Sequence, residues 1–361
     1  MKLPTKRRRI QIVVAVWCVF AAGPSVAAQD EVVRVQTELV NLNVVVKDRQ
    51  GKRVKGLTRE DFEVYEDGAR QEITHFSADE RPLRLVLLFD ISISMEASLP
   101  TVKQAAVTLV DSLRPDDEVT IVSFAEQTIR LSDWLHKTDA GEAIRKITAE
   151  PHVQPVPATI SSHGYRVGDY NTYMYEAFQY VFENFEAGND RIAVITFTDG
   201  VDTAAGRAVP NIKRRVDDIG KEVVRQAQES WALVYPIRYK TDQIIGDLPT
   251  PAVRIPSPVI HIGSAPEDPG RKLLDQITAA SGGEVFPWSN RQDLLKAVGD
   301  ALDDLRSQYS LGYKPPPEKE GKAFRKTKVR VKRPNLVVRT REGYFSTDVT
   351  RPRRVSKLPP P

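Results

Sequence analysis

Two apolar runs organise the middle of the chain. Leu85-Val86-Leu87-Leu88-Phe89 runs straight into Asp90-Ile91-Ser92-Ile93-Ser94, and Ile192-Ala193-Val194-Ile195-Thr196-Phe197 runs into Thr198-Asp199-Gly200. A continuous apolar run bounded by a polar turn predicts a strand buried on both faces, the kind found inside parallel sheets. Further strands are expected at 118–124, 231–237 and 283–287, with a short edge strand near 127–131. Helical periodicity falls between them, near 99–113, 139–148, 172–186, 209–229, 270–280 and 290–308. Strands separated by helices predict a parallel sheet covered on both faces.

The two ends of the chain carry a different pattern. Val32 to Val46 is rich in Val and Leu with partial alternation (Val40, Leu42, Val44, Val46), which predicts a strand. Asp48 to Lys52 reads as a turn and Leu57 to Phe62 as a brief capped turn. Phe62-Glu63-Val64-Tyr65 and Gln71 to Phe76 predict a hairpin closed by Asp67-Gly68. After Ser307 strands return at Tyr309–Tyr313, 324–333 and 335–341, the last two split by Pro334-Asn335. Each set alone leaves an apolar face uncovered, so the two are expected to join in one sandwich. The fold class expected is α/β, a doubly wound and mostly parallel sheet, flanked by an antiparallel β-sandwich built from both ends. The expected layout is a leader over 1–28, an N-terminal β segment over 29–80, the α/β domain over 81–308, a C-terminal β segment over 309–346 and a disordered tail over 347–361.

The leader changes the charge picture. Lys2, Lys6, Arg7, Arg8 and Arg9 precede the apolar run Ile10 to Ala22, and Val26-Ala27-Ala28 offers small residues before Gln29. That is the pattern of a secretory signal peptide, with an uncleaved anchor as the alternative. The run is short of the roughly 20 residues that a spanning helix needs. The whole chain of 361 residues has 52 basic and 48 acidic residues; without the leader's five, 47 face 48, a formal charge of −1. The composition therefore gives no global case for nucleic-acid binding. One basic stretch remains, Lys322 to Arg333, whose alternation predicts a strand with a solvated basic face. The single cysteine, Cys18, lies in the leader, so the rest of the chain has neither disulfide nor thiol chemistry.

Three oxygens, from Asp90, Ser92 and Ser94, share one loop at the end of the first buried strand, and hard divalent cations want such ligands. Asp199 ends the second buried strand, and doubly wound sheets place ligands at the carboxyl ends of their strands. Asp90-x-Ser92-x-Ser94, then Asn171-Thr172-Tyr173-Met174-Tyr175-Glu176-Ala177, then Thr198-Asp199-Gly200-Val201-Asp202 together resemble the three pieces of the metal-ion-dependent adhesion site of von Willebrand factor type A (VWA) domains. The resemblance covers roughly 81–308, and the flanks look like the extensions of a bacterial secreted subgroup of that family. It implies that Ser92, Ser94 and Thr172 ligate Mg²⁺ through hydroxyls while Asp90 and Asp199 act directly or through water. Mn²⁺ or Ca²⁺ could substitute, since the same ligand types serve them. It further implies that a carboxylate from a partner protein completes the ion's shell. Asp202 is expected behind the ligands or in a turn, and Glu96 at a solvated helix start. Two departures stand out: the glycine usual between the serines is Ile93, and Asp169-Tyr170-Asn171 replaces a small glycine-rich approach to Thr172. A β-branched residue resists positive φ, so the loop must take an ordinary backbone shape or shift Ser94.

The insertions at 149–171 and 241–269 are expected to crown the same face, with Tyr165, Tyr170, Tyr173 and Ile260 as candidate partner contacts and ordinary loop packing as the alternative. His75, His136, His152, His163 and His261 are scattered without metal-pair spacing, and neither a nucleophile elbow nor a phosphate loop occurs. No catalytic constellation is found, so an enzyme is not expected. The leading expectation is a secreted, periplasmic or envelope adhesion module that captures an acidic residue of a protein, touching the membrane only through its leader. A metal-independent scaffold and an accessory subunit of an enzyme assembly are the alternatives.

Overall fold

The computed structural model describes residues 39–78, 81–148, 172–185, 191–202, 210–230, 232–240, 268–316 and 324–345, with the side chains of 210–216 excepted. The leader, the insertions over 149–171 and 241–267, and the tail lie outside these residues. Four strands come first: β1 (Val40–Asp48), β2 (Phe62–Glu66), β3 (Ala69–Gln71) and β4 (Ile73–Ala78). Alternation follows, through β5 (Leu83–Asp90), α1 (Leu99–Asp111), β6 (Glu118–Phe124), β7 (Thr128–Arg130), α2 (Lys137–Arg145), α3 (Met174–Asn184), β8 (Arg191–Thr198), α4 (Pro210–Glu229), β9 (Leu233–Tyr239), α5 (Pro269–Ser281), β10 (Phe286–Trp288) and α6 (Arg291–Arg306). The last strands are β11 (Tyr309–Tyr313), β12 (Phe324–Val331), β13 (Leu336–Arg339) and β14 (Gly343–Phe345).

The central sheet runs β10-β9-β8-β5-β6-β7, parallel except for the edge strand β7. Both faces are covered, as the apolar runs required. Leu85, Leu87 and Phe89 point into a core shared with α1, α2 and α6, whereas Val86 and Leu88 point into a second core with α3, α4 and α5. Period-two alternation thus sends successive residues of one strand into opposite cores. Each fully buried side chain of this kind contributes about 1.5–3 kcal/mol. The chain leaves β5 toward β6 and β7, then returns to the other side of β5 as β8, β9 and β10. The switch point therefore lies between β5 and β8, where such sheets open a crevice at their carboxyl ends.

The flanking strands form two four-stranded antiparallel sheets, β13-β1-β11-β4 and β14-β12-β2-β3. Leu42, Val44, Val46, Leu311 and Tyr313 of one sheet share a core with Phe62, Val64 and Val329 of the other, so the expected sandwich is present. Tyr309 pairs with Ala78, which puts the two ends of the α/β domain on neighbouring strands. The expected hairpin is corrected in one respect. Asp67 and Gly68 turn the chain with φ of 49° and 85°, but across this turn β2 pairs with Ala69–Gln71 and not with the residues of β4. The chain then crosses at Glu72 and β4 joins the opposite sheet beside β11, which lets Ile73 enter the shared core. β14, which no alternation announced, closes the second sheet beside β12.

Candidate metal centre at the switch point

β5 and β8 are hydrogen-bonded in parallel register, with Phe89 opposite Phe197 and their rings stacked at 5.2 Å. Beyond that aromatic floor come Asp90 and Thr198. The Thr198 hydroxyl donates to Asp90 Oδ2 at 2.7 Å and accepts from the Gly200 N–H at 2.9 Å. Asp90 Oδ1 accepts from the Ser92 N–H at 3.0 Å and from the Ser92 hydroxyl at 2.5 Å. The Ser92 and Ser94 hydroxyl oxygens are 3.1 Å apart, and the Ser94 hydroxyl is close enough to Asp199 to favour its charged form. Hydrogen bonds thus join three of the five expected ligands, Asp90, Ser92 and Ser94, with the Asp199 charge acting on Asp90 beside them. Asp90, Ser92, Thr172 and Asp199 are buried, whereas Ser94 is exposed, so the cluster opens to solvent at Ser94.

The loop between the serines is a 3-10 turn, Ile93–Met95, following Ser92 at φ −62° and ψ 164°. Among the described residues other than glycine only Asp67 and Asn335 have positive φ, so Ile93 sits on ordinary backbone. Its side chain is 54% exposed, and Met95, fully buried in the core beneath, anchors the turn. The isoleucine at the usual glycine position therefore puts no strain on the loop.

Thr172 stands at the same edge, just before α3. The N–H of Tyr173 donates to the Ala125 carbonyl at 3.0 Å, one residue past the end of β6. The N–H groups of Met174 and Tyr175 donate to Asp202 Oδ2 at 2.9 and 3.2 Å. Asp202, expected in a turn or behind the ligands, is thus a buried acceptor that satisfies the orphan donors at the start of α3 from across the crevice. Gly270 of α5 packs against this loop; a Cβ there would lie 2.6 Å from Asp202 N and Gly200 O, so only glycine fits. Tyr173 is half-buried. The other candidate partner contacts, Tyr165, Tyr170 and Ile260, lie outside the described residues. Glu96 is exposed, as expected.

Burial and the neighbouring Asp199 charge push the Asp90 carboxyl up from 3.8 to about 7. Asp199 is also raised, chiefly by burial, against the lowering effect of the Val201 N–H, the Ser94 hydroxyl and Arg271. Among the described residues no side-chain ion pair reaches either carboxylate. Two buried acids whose charged forms oppose each other suit a small divalent cation, which would stabilise both at once. Hydroxyls that donate to carboxylates keep lone pairs for a metal. Among the described residues no group of three His, Cys, Asp or Glu could hold an ion, so any cation here would depend on hydroxyls as well as acids. Mg²⁺ tolerates such a set because it keeps several waters.

Two residues of the site were not anticipated. Thr198 was read only as part of a motif, yet its hydroxyl orients Asp90; its place beside Asp90 follows from a strand register that no single strand reveals. Arg271 donates through Nε to the Asp199 carbonyl at 3.2 Å, from α5, and nothing near it in the chain hints at this.

No family model matches the chain, and no curated protein matches it. Solved structures that it is similar to include BatB from Bacteroides thetaiotaomicron, 16% identical over 62% of this chain and 98% of that one, with a TM-score of 0.42. Proximal thread matrix protein 1 from the mussel byssus, with a zinc-occupied MIDAS motif, is 18% identical over 68% of this chain and 50% of that one, at 0.41. A von Willebrand factor type A protein from Catenulispora acidiphila is 12% identical over 74% and 67%, at 0.41. Likenesses this distant say nothing of function. What stands on this chain's own geometry is the doubly wound sheet order and the convergence of Asp90, Ser92 and Ser94 at its switch point.

Proposed function

We propose that this chain is an exported protein-binding module in which a divalent cation, held at the β5–β8 switch point, captures an acidic residue of a partner protein. Asp90, Ser92, Ser94, Thr172 and Asp199 would hold the ion, with Mg²⁺ the expected occupant. The observation that carries the reading is the hydrogen-bonded group Asp90–Ser92–Ser94, closed inside and open to solvent at Ser94, beside a second buried acid, Asp199, whose charge acts on Asp90. The bound cation would supply a positive centre with exchangeable ligand positions. This chain's residues do the rest. The hydroxyls bring little charge of their own, so an ion held mainly by them stays under-neutralised and attracts an external carboxylate. Thr198 and the Ser92 N–H fix the Asp90 oxygens, and Asp202 holds the start of α3 so that Thr172 stays at the edge.

Calorimetric titration with Mg²⁺ tests the ion, and a pull-down from envelope extract with and without chelator tests the capture. Saturable Mg²⁺ binding, absent in Asp90→Ala plus Asp199→Ala, is expected, together with partners that chelator releases. Partner binding unchanged in that double variant would reject metal-mediated capture and leave the metal-independent scaffold.

A further inference from the structure

We propose that the outer face of the sheet centred on β12 is a docking line for an extended anionic polysaccharide. β12 alternates without a break: Arg325, Thr327 and Val329 are buried, while Lys326, Lys328 and Arg330 are exposed, and Lys332 continues the exposed row past the strand end. Cations at every second residue stand about 6.6 Å apart and span about 20 Å in single file. Lysines on sheet edges keep open edges from pairing. The row stands on the face of the sheet and not on its last strand, since β12 is hydrogen-bonded to β14 over Phe324–Lys326 and to β2 over Thr327–Val331, so edge protection explains at most part of it. Like charges at this spacing repel, and the carboxylates beside the row, Glu63 opposite Arg330 and Glu60 and Glu72 around the recess that Lys332 lines, make no ion pair with it among the described residues. The ion pairs of this sheet join Arg70 to Glu63, Arg325 to Glu66 and Arg333 to Asp61, and none among the described residues reaches the four cations of the row.

The neighbours sharpen the reading. Lys326 is paired across strands with Gly343, Lys328 with Tyr65 and Arg330 with Glu63. Glu63, the carboxylate nearest the row by register, accepts from the Tyr65 hydroxyl at 3.0 Å and lies 3.5 Å from Arg70. A flat lipid surface would press on Glu63 as well as on the row, whereas a linear polyanion need follow only the single file. The Arg330 guanidinium lies over the Tyr65 ring at 5.1 Å, which takes that ring from any base that might stack along the row. The leader read in the sequence directs the chain outward, where linear polyanions are uronate- or sulfate-bearing glycans.

The test uses the intact chain and polygalacturonate, with neutral dextran as control, followed by calorimetry at two salt concentrations. Binding is expected to polygalacturonate alone and to weaken by roughly tenfold or more between about 0.05 and 0.2 M salt, as counterion release requires. Lys328→Gln with Arg330→Gln should weaken it by a further tenfold or so, while Lys221→Gln with Lys296→Gln, equal in charge but on helices, should leave it unchanged. If the first pair lowers the melting temperature, Lys326→Gln alone, opposite a glycine, reads the same row. No binding to polygalacturonate, or equal loss in both pairs, overturns the proposal. So does an oligothymidylate or an anionic phospholipid vesicle that binds at least as tightly through Lys328 and Arg330.

Discussion

Two places in this molecule bury carboxylates, and they treat them differently. Asp304, on α6, is fully buried where the α/β domain meets the sandwich. It accepts from Arg53 Nε at 3.1 Å, from the Tyr235 hydroxyl at 3.1 Å and from Arg339, and Lys47 lies 3.4 Å away. Three cations converge on one acid, and the Gln308 amide donates to Tyr235 behind it at 3.0 Å. At the switch point Asp90 and Asp199 are as deeply buried, but hydroxyls and backbone N–H groups surround them and no side-chain ion pair reaches them among the described residues. A buried acid with its counter-charges built in is a joint. A pair of buried acids without them leaves room for a charge from outside.

The contrast can be broken in four ways. Asp304→Ala should cost the most, about 3–5 kcal/mol in urea unfolding, because it removes the one buried carboxylate that Arg53, Arg339 and Lys47 share and leaves them only the partly exposed Glu284 and Asp300; a loss under about 1 kcal/mol would show the joint to be solvated. Next, saturating Mg²⁺ at a hundredfold excess over its Kd should stabilise the native chain by about 2.7 kcal/mol. The melting shift should vanish in the Asp90→Ala, Asp199→Ala double variant, and a shift that persists there places the ion elsewhere. Third, Asp90→Asn should stabilise the metal-free chain by about 1 kcal/mol near neutral pH, since it removes a buried charge facing another while an amide oxygen still accepts from Ser92. The gain should disappear once Mg²⁺ is added, and a loss of stability without metal would mean that the Asp90 charge is already compensated. The smallest effect belongs to Ile93→Gly: its backbone is ordinary and its side chain exposed, so Mg²⁺ affinity should stay within about threefold by calorimetry, with stability lower by about 0.5–1 kcal/mol from glycine's freedom.

The same contrast explains what could be read from the chain. Asp90 and Asp199 were legible because each ends an apolar run long enough to be a doubly buried strand, and the switch point then brings the two strands side by side. The sandwich was legible because β12 alternates cleanly and β1 in part, each leaving an apolar face to be covered. Asp304 was not, since Asp303-Asp304 in a polar helix looks like any solvated acidic pair. What buries it are Arg53 and Arg339, from strand segments of the sandwich, and no local pattern announces such a meeting. The crossing at Glu72 was hidden for a related reason: β3 and β4 read as one alternating strand, and only the competition between β2 and β11 for partners breaks it. Arg271 shares this cause, its partner carbonyl being set by how α5 docks.

The pairing of Tyr309 with Ala78 has a consequence for how the molecule comes together. Two strands that lie side by side are tied by an intervening stretch of roughly 230 residues, and closing so long a tether while it is still a coil costs conformational entropy. Once the interior has collapsed into its own sheet and helices, its two exits already stand a hydrogen bond apart. The outer module therefore has every reason to zip up last, on a template that the inserted body provides.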